Sequence, residues 1–453
     1  MLLDYNTWVV VLGTGFLGLA SGVIGTFAVL RRRALIGDAL SHAALPGICL
    51  AFLITGERSF PVLLTGAFFS GLLGVWVVSF LRRHTRTKED AALGIVLSVF
   101  FGVGIALSRI AQNTSVEGSK AGLDSFIFGK TAGMLSQDVY ALLALVVALL
   151  LVVAVFYKEF KLVSFDPEFA TVQGWPTTLL DLSLMALLAV TVVVGLPAVG
   201  VALMAALLVL PGAAARFWAD RLGPTLLVAG LLGLAAGVGG TLLGAFGPAL
   251  LPWAFERDPP AGPVIVLTGT VLFLLSLFFA PKRGVLARAL EHLQLRREVA
   301  FQNLLRAIYE IGEARLPTPT ASGGTLQEGA EIQFSVAELL PRRSWSTRRL
   351  RRVLARATRA RFVCPLSSEA YQMTGLGLDR AASVVRAHRL WELFLLEEAH
   401  VAQQSVDRDA DLIEHVLPPA LIRRLEETLQ RSGRLPLRGT VPPSPHEIAR
   451  EHP

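Results

Sequence analysis

Cysteine is almost absent from this 453-residue chain. There are two, Cys49 in an apolar run and Cys364 far downstream, so neither a disulfide framework nor a multi-thiol metal site can be built. A nucleotide-hydrolysing loop is missing as well. The phosphate-cradling pattern needs a glycine five residues before a Gly-Lys-Ser/Thr run, and at Gly129-Lys130-Thr131 that position holds Asp124. Any ATP hydrolysis has to come from another chain. The start, MLLDYNTW, carries no basic segment and no small-residue cleavage site, and reads as the beginning of a first span rather than a cleaved signal. No convincing internal repeat is present, which argues against a secondary transporter built from repeated halves. Charge is also missing over long stretches, and none falls between Leu182 and Ala215.

What is there is hydrophobicity. Apolar residues make up 53% and the mean hydropathy is +0.57, high for a soluble protein. The average conceals a split, because apolar runs dominate to about Ala280 and the chain after Pro281 is rich in Arg and Glu. A spanning helix needs about 20 mostly apolar residues. The candidates are 8–30, 39–54, 60–81, 92–110, 139–156, 179–196, 198–211, 224–250 and 263–280, about nine spans in all. The uncharged run 182–215 is too long for one crossing and too short for two full ones. With Pro197 and Gly200 near its middle it is expected as two short or kinked helices. The stretch 111–137 leaves room for a re-entrant piece.

Every odd span exit is basic: Arg31–Arg33, then Arg82, Arg83, Arg86 and Lys88, then Lys158 and Lys161, then Arg216 and Arg221, then Lys282 and Arg283. The positive-inside rule turns this into an N-terminus outside and a C-terminus in the cytoplasm. The net charge of +7 and pI near 9.8 are partly explained by such loops.

The sharpest motif is Gly37-Asp38-Ala39-Leu40-Ser41-His42-Ala43-Ala44-Leu45-Pro46-Gly47, which sets a carboxylate and an imidazole four residues apart at the start of a span. Ionisable groups in spans face a cavity or a partner. Two readings stand on the chemistry alone: an interfacial helix cap with a locally satisfied histidine, or a pair lining a path for a cation. This string resembles the signature of the ABC-3 family of metal-ion permeases. So do Phe165-Asp166-Pro167-Glu168-Phe169-Ala170 with Gly174, and Leu196-Pro197-Ala198-Val199-Gly200-Val201 followed by 208–216. The resemblance covers about 8–280. It implies an all-α polytopic membrane subunit with no enzyme activity and no tightly bound cofactor in the permease part. It also implies a second permease subunit in a homo- or heterodimer, a separate ABC ATPase, and an extracytoplasmic metal-binding protein. Asp38, Ser41 and His42 are then expected along the translocation path of a divalent metal. Phe165, Asp166, Glu168, Gly174, Pro211, Arg216 and Arg221 are expected at the ATPase, with 212–223 as a coupling helix.

The chain continues for about 170 residues beyond that resemblance. The divisions expected are a permease domain 1–283, a linker helix 284–295, a winged-helix-like domain 296–378, repressor-like metal-binding and dimerisation helices 379–430, and an irregular tail 431–453. An apolar stripe runs through 296–314, and a short helix and a longer one follow at 334–340 and 346–361. Nine arginines fall between Arg342 and Arg361. A basic second helix suits DNA through Arg348, Arg349 and Arg352, or alternatively an anionic lipid surface. Arg386-Ala387-His388-Arg389-Leu390-Trp391-Glu392 and Asp411-Leu412-Ile413-Glu414-His415 resemble motifs of iron- and manganese-dependent repressors of the diphtheria-toxin-repressor type, over roughly 296–430. That resemblance implies manganese or iron(II) bound by His388, Glu392, Asp411, Glu414 and His415. It also exposes a departure: Asn303 and Arg306 stand where the family places acidic or sulfur ligands. The alternative for the whole chain is a membrane-tethered, metal-dependent transcription regulator.

Overall fold

A computed structural model describes residues 4–33, 35–56, 60–114, 129, 131–250, 260–315, 331–342, 345–397, 419–431 and 441–442. The chain divides into two compact units, Met1–Arg288 and Ala289–Pro453.

In the first unit the helices are α1 (Tyr5–Leu30), α2 (Ile36–Thr55), α3 (Phe60–His84), α4 (Glu89–Thr114), α5 (Ser136–Val155), α6 (Tyr157–Phe165), α7 (Pro167–Val172), α8 (Thr177–Val199), α9 (Val201–Ala215), α10 (Leu222–Leu250) and α11 (Ala261–Phe279). Among the described residues eight are long and apolar enough to cross a membrane, namely α1–α5, α8, α10 and α11. These helices are apolar on nearly every side because a bilayer requires the backbone to be satisfied inside the helix and rewards no polar face. The span expected at 198–211 is a shorter apolar helix, α9, so of the about nine helices expected, eight reach spanning length among the described residues.

The break in the uncharged run sits at Gly200, not at Pro197. Gly200 has φ 87° and ψ 163°, and it ends α8 and begins α9. Pro197 and Pro211 remain inside their helices. A break leaves terminal carbonyls without the donors of a next turn. One of them, Ala198 O, accepts from Thr131 Oγ1 at 2.7 Å. The threonine of the Gly-Lys-Thr run is therefore a buried cap on a neighbouring helix. Of the stretch considered for a re-entrant piece, 115–128 and 130 lie outside the described residues, and α4 precedes them.

α1 is buried along most of its length and packs against α10, α9, α5 and α8, while α2 packs against α3, α4 and α9. Arg31 and Arg33, just after α1, both reach Asp181 in the second turn of α8, at 2.5 and 2.9 Å. This double ion pair ties the end of one span to the beginning of another.

The second unit takes in most of α12 (Val285–Ala314), then β1 (Gln333–Ser335), α13 (Val336–Leu339), α14 (Thr347–Arg359), β2 (Val363–Pro365), β3 (Ala370–Met373), α15 (Gly375–Glu397) and α16 (Pro419–Arg431). The antiparallel sheet has the order β1-β3-β2, with Phe334 opposite Tyr371 and Val363 opposite Met373. Its core gathers Leu304, Ile308, Leu339, Leu350, Leu354 and Val385. α14 is strongly two-faced, with Leu350, Leu354 and Ala357 inward and Arg348, Arg349 and Arg352 exposed.

Candidate functional site

In the membrane unit the Asp38–His42 pair forms as the spacing predicts. Both lie in the first two turns of α2, and His42 Nε2 is 3.4 Å from Asp38 Oδ1. The imidazole is mostly covered, and Phe101 of α4 stands edge-on to it with ring centroids 4.9 Å apart. His42 Nδ1 is buried and has no hydrogen-bond partner among the described residues. Four residues on, Pro46 lies inside α2 and has no N–H, so the helical ladder cannot use the His42 carbonyl. A carboxylate, an unengaged imidazole nitrogen and a carbonyl released from the ladder thus occur on two consecutive turns. Such a donor set suits a divalent transition metal in transit. Ser41 does not join it, because its hydroxyl donates to Gly37 O at 2.8 Å within its own helix. Phe101 was not legible as a site residue, since nothing in the spacing of α4 marks it. A cavity of about 520 Å³ lies on a different face of α2, against Ile36, Ala39, Leu40 and Ala43, with mostly apolar walls.

The segment 165–174 is built by its motif. Asp166 caps α7, its Oδ1 accepting from Phe169 N at 3.0 Å, and Pro167 occupies the first turn, where a missing N–H costs nothing. Gly174 has φ 82°, Gly174 N donates to Thr171 O at 3.0 Å and Trp175 N to Ala170 O at 3.1 Å, which closes the helix with a Schellman motif. The effect is to present Phe165, Glu168, Phe169, Val172 and Trp175 on the outside of a short, stiff element. The expected coupling helix over 212–223 is not a separate helix. α9 runs through buried Pro211 and Gly212 to Ala215, and only six residues, 216–221, turn the chain into α10. Arg216, Trp218 and Arg221 are exposed there. Asp220 of this turn binds Lys282 and Arg283, each at 2.9 Å. The Lys282 hydrogen bond holds the Asp220 carboxyl below its usual range.

In the second unit the predicted pair His388 and Glu392 meets, with Nε2 3.1 Å from Oε1, and is fully buried on α15. The other ring nitrogen is taken by Arg306 of α12, whose Nη1 is 3.0 Å from His388 Nδ1. Arg306 Nε in turn donates to Glu310 Oε1 at 2.7 Å. Imidazole and carboxylate would suit manganese or iron(II), but a guanidinium already fills this position, so the pair as arranged does not fit a metal. Arg389 binds Glu313 of α12 and donates to Pro442 O at 2.8 Å, and Arg386 pairs with Glu426 of α16. Asp411, Glu414 and His415 lie outside the described residues. Among the described residues no group of three or more His, Cys, Asp or Glu side chains is placed to hold a metal ion.

The family model of the ABC 3 transport family matches residues 4–280. The model of the iron dependent repressor, metal binding and dimerisation domain matches residues 374–442. The manganese transport system membrane protein MntC of Bacillus subtilis (strain 168) is 38% identical over 434 residues, which cover 96% of this chain and 94% of that protein. The zinc transport system membrane protein TroC of Treponema pallidum (strain Nichols) is 47% identical over 283 residues, 62% of this chain and 92% of that one. Among solved structures, PsaBC from Streptococcus pneumoniae in complex with Fab matches 62% of this chain and 93% of its own, with a TM-score of 0.53 at 30% identity.

Proposed function

This chain belongs to the ABC 3 transport family as a multi-pass membrane permease subunit, and on that premise we propose that it carries a divalent transition metal into the cell. Manganese or iron(II) is the preferred cargo, with zinc next. The similarity to a manganese transport protein extends along 96% of the chain, whereas that to a zinc transport protein covers 62% of it. The carrying observation is the Asp38–His42 pair in an otherwise apolar span, with His42 Nδ1 unengaged.

The subunit works as half of a homo- or heterodimer with a separate ATPase and an extracytoplasmic metal-binding protein. Its N-terminus lies outside and its second unit in the cytoplasm, a reading supported by the basic odd exits. Asp38 and His42 take the hydrated ion as it passes and replace part of its water. The ATPase seats on α7 and on the turn 216–221, through Phe165, Phe169, Glu168, Arg216 and Arg221. Residues 284–295 link to a winged-helix-like module at 296–378, followed by dimerisation helices to 430. In the latter, Asp411, Glu414 and His415, spaced i, i+3 and i+4, hold a regulatory manganese or iron(II).

A second reading for the tail is DNA contact, favoured by the outward placement of Arg348, Arg349 and Arg352 on a helix whose other face is core. Such contact depends steeply on salt. Duplex binding by the full-length protein that vanishes in Arg348→Ala/Arg352→Ala would establish it. The transport reading is tested by uptake of radiolabelled manganese, iron and zinc in cells lacking other importers. Asp38→Asn and His42→Ala should abolish uptake at unchanged membrane levels, and uptake that survives both would remove the pair from the path.

A further inference from the structure

We propose that Arg306 is a built-in cation of the second unit: its guanidinium stands where a metal ion would stand beside His388 and Glu392, so this pair is structural and takes no metal. The inference rests on residues 374–442 being a metal-binding domain of the kind they match.

The argument begins with donors and acceptors. A guanidinium has five N–H donors and no acceptor, and it does not lose its charge in proteins. Since Arg306 Nη1 lies 3.0 Å from His388 Nδ1, that nitrogen must be the acceptor. The ring proton is then on Nε2, which lies 3.1 Å from Glu392 Oε1 and donates to it. Both ring nitrogens are committed. A metal-bound imidazole must offer one nitrogen lone pair, and here the sole lone pair in the ring plane is already used by Arg306.

Charge points the same way. Arg306 is 2% exposed, His388 1% and Glu392 0%, and Arg306 also binds Glu310. A guanidinium buried against Glu310, and linked to Glu392 through the His388 ring, supplies positive charge at short range, as a divalent ion would. A second cation entering beside it would meet like charge in a site with little water to screen it.

The consequence concerns regulation. The link from α12 to α15 runs through a covalently attached cation that cannot dissociate. The packing of these two helices is therefore independent of metal supply, and any metal response of the tail is confined to residues beyond α15, where Asp411, Glu414 and His415 lie in the sequence.

The test is manganese stoichiometry of the full-length protein in detergent, followed by the loss of the aqueous manganese resonance in electron paramagnetic spectra. The membrane pair is silenced by Asp38→Asn/His42→Ala in every sample. The expected result is one manganese per chain, lost in His415→Ala and unchanged in Glu392→Gln. His388→Gln serves in place of Glu392→Gln if that variant fails to fold. Loss of the bound ion, or affinity weakened tenfold, in Glu392→Gln or His388→Gln overturns the inference and leaves the metal-module reading intact. No manganese bound by the parent removes the metal-module reading and leaves the pair without metal, as inferred. In that case Arg306→Met decides whether the guanidinium is a stand-in: it should gain one manganese per chain, and no gain would sink the idea.

Discussion

Gly18 of α1 and Gly233 of α10 meet so closely that a Cβ built on either would lie 2.0 Å from the carbonyl oxygen of the other. The same crossing continues in both directions: Gly22 would strike Ala229 O and Gly237 would strike Thr14 O, each at 2.2 Å. Helices in a bilayer gain no hydrophobic advantage from meeting each other. Close backbone approach through small residues supplies the attraction instead.

Gly233→Ala therefore has to separate α1 and α10. Overpacking of a tight interior costs roughly 1–3 kcal/mol, and here the obstacle is backbone that cannot rotate away. Gly102→Ala in α4 is the contrast, since among the described residues no atom beyond its own stretch of helix lies within 4 Å of its Cβ. That change should be neutral, or stabilising by about 0.4–1 kcal/mol through the unfolded chain. Thermal unfolding of the isolated subunit in detergent should order the proteins Gly233→Ala, then parent, then Gly102→Ala. Equal melting of the two variants would mean that the α1–α10 crossing yields more easily than its geometry indicates.

Asp166→Ala removes the side chain that caps α7. Loss of an N-cap costs about 1 kcal/mol, which is large for a helix of six residues, Pro167–Val172. Amide exchange over 167–175 should quicken several-fold while the spans stay protected. On the proposed seating of the ATPase on α7, transport by the complex should fall more than subunit stability, because the segment would no longer hold Phe165 and Phe169 in place. Unchanged exchange would assign the stiffness of the segment to its Gly174 end.

Acid should release the turn between α9 and α10. The Asp220 carboxyl is held below its ordinary value by its Lys282 hydrogen bond, with Arg283 adding to it. A lowered folded value means that the clamp contributes above the ordinary aspartate range and is lost as pH falls through the folded value. The turn should be held from neutrality down to about pH 4 and loosen only below that. A spin label at Ala219→Cys, with Cys49 and Cys364 replaced, reports this as rising mobility. Asp220→Asn should be mobile at every pH, and concentrated salt should mimic it because the pair is exposed.

The sequence marks what repeats locally and misses what meets across the chain. Apolar runs about 20 residues long announce spans on their own, and the i, i+4 spacing places Asp38 beside His42 without any tertiary information. The Asp-Pro and Gly174 signals likewise declare the ends of α7. Asp181, in contrast, reads as an ordinary charge at the start of a span. Its role as anchor for Arg31 and Arg33 depends on a contact about 150 residues away. Arg306 could be read as a departure from a ligand position, but its partner His388 lies 82 residues on. The sequence offers both Pro197 and Gly200 as the break in the uncharged run. A proline costs one ladder bond, which neighbouring helices can absorb, whereas the backbone at Gly200 leaves helical space altogether.

Gly200 is thus the residue on which the short ninth helix depends. At φ 87° and ψ 163° an L side chain is strained whatever room surrounds it, at a cost of about 1–3 kcal/mol. Gly200→Ala should therefore either destabilise the subunit by that amount or let α8 run on into α9. The two outcomes differ in what happens to Thr131. Its hydroxyl donates to Ala198 O only because the helix is broken there. In the parent, Thr131→Val leaves that buried carbonyl without its donor and should cost about 1–3 kcal/mol. If Gly200→Ala keeps the break, adding Thr131→Val should cost that much again. If the helix becomes continuous, Ala198 O regains a backbone donor and the second change should cost nearly nothing. A double-mutant cycle on melting of the subunit separates these cases. A full second penalty with no coupling would show that the break is set by the packing of α1 and the 131–133 turn rather than by the glycine.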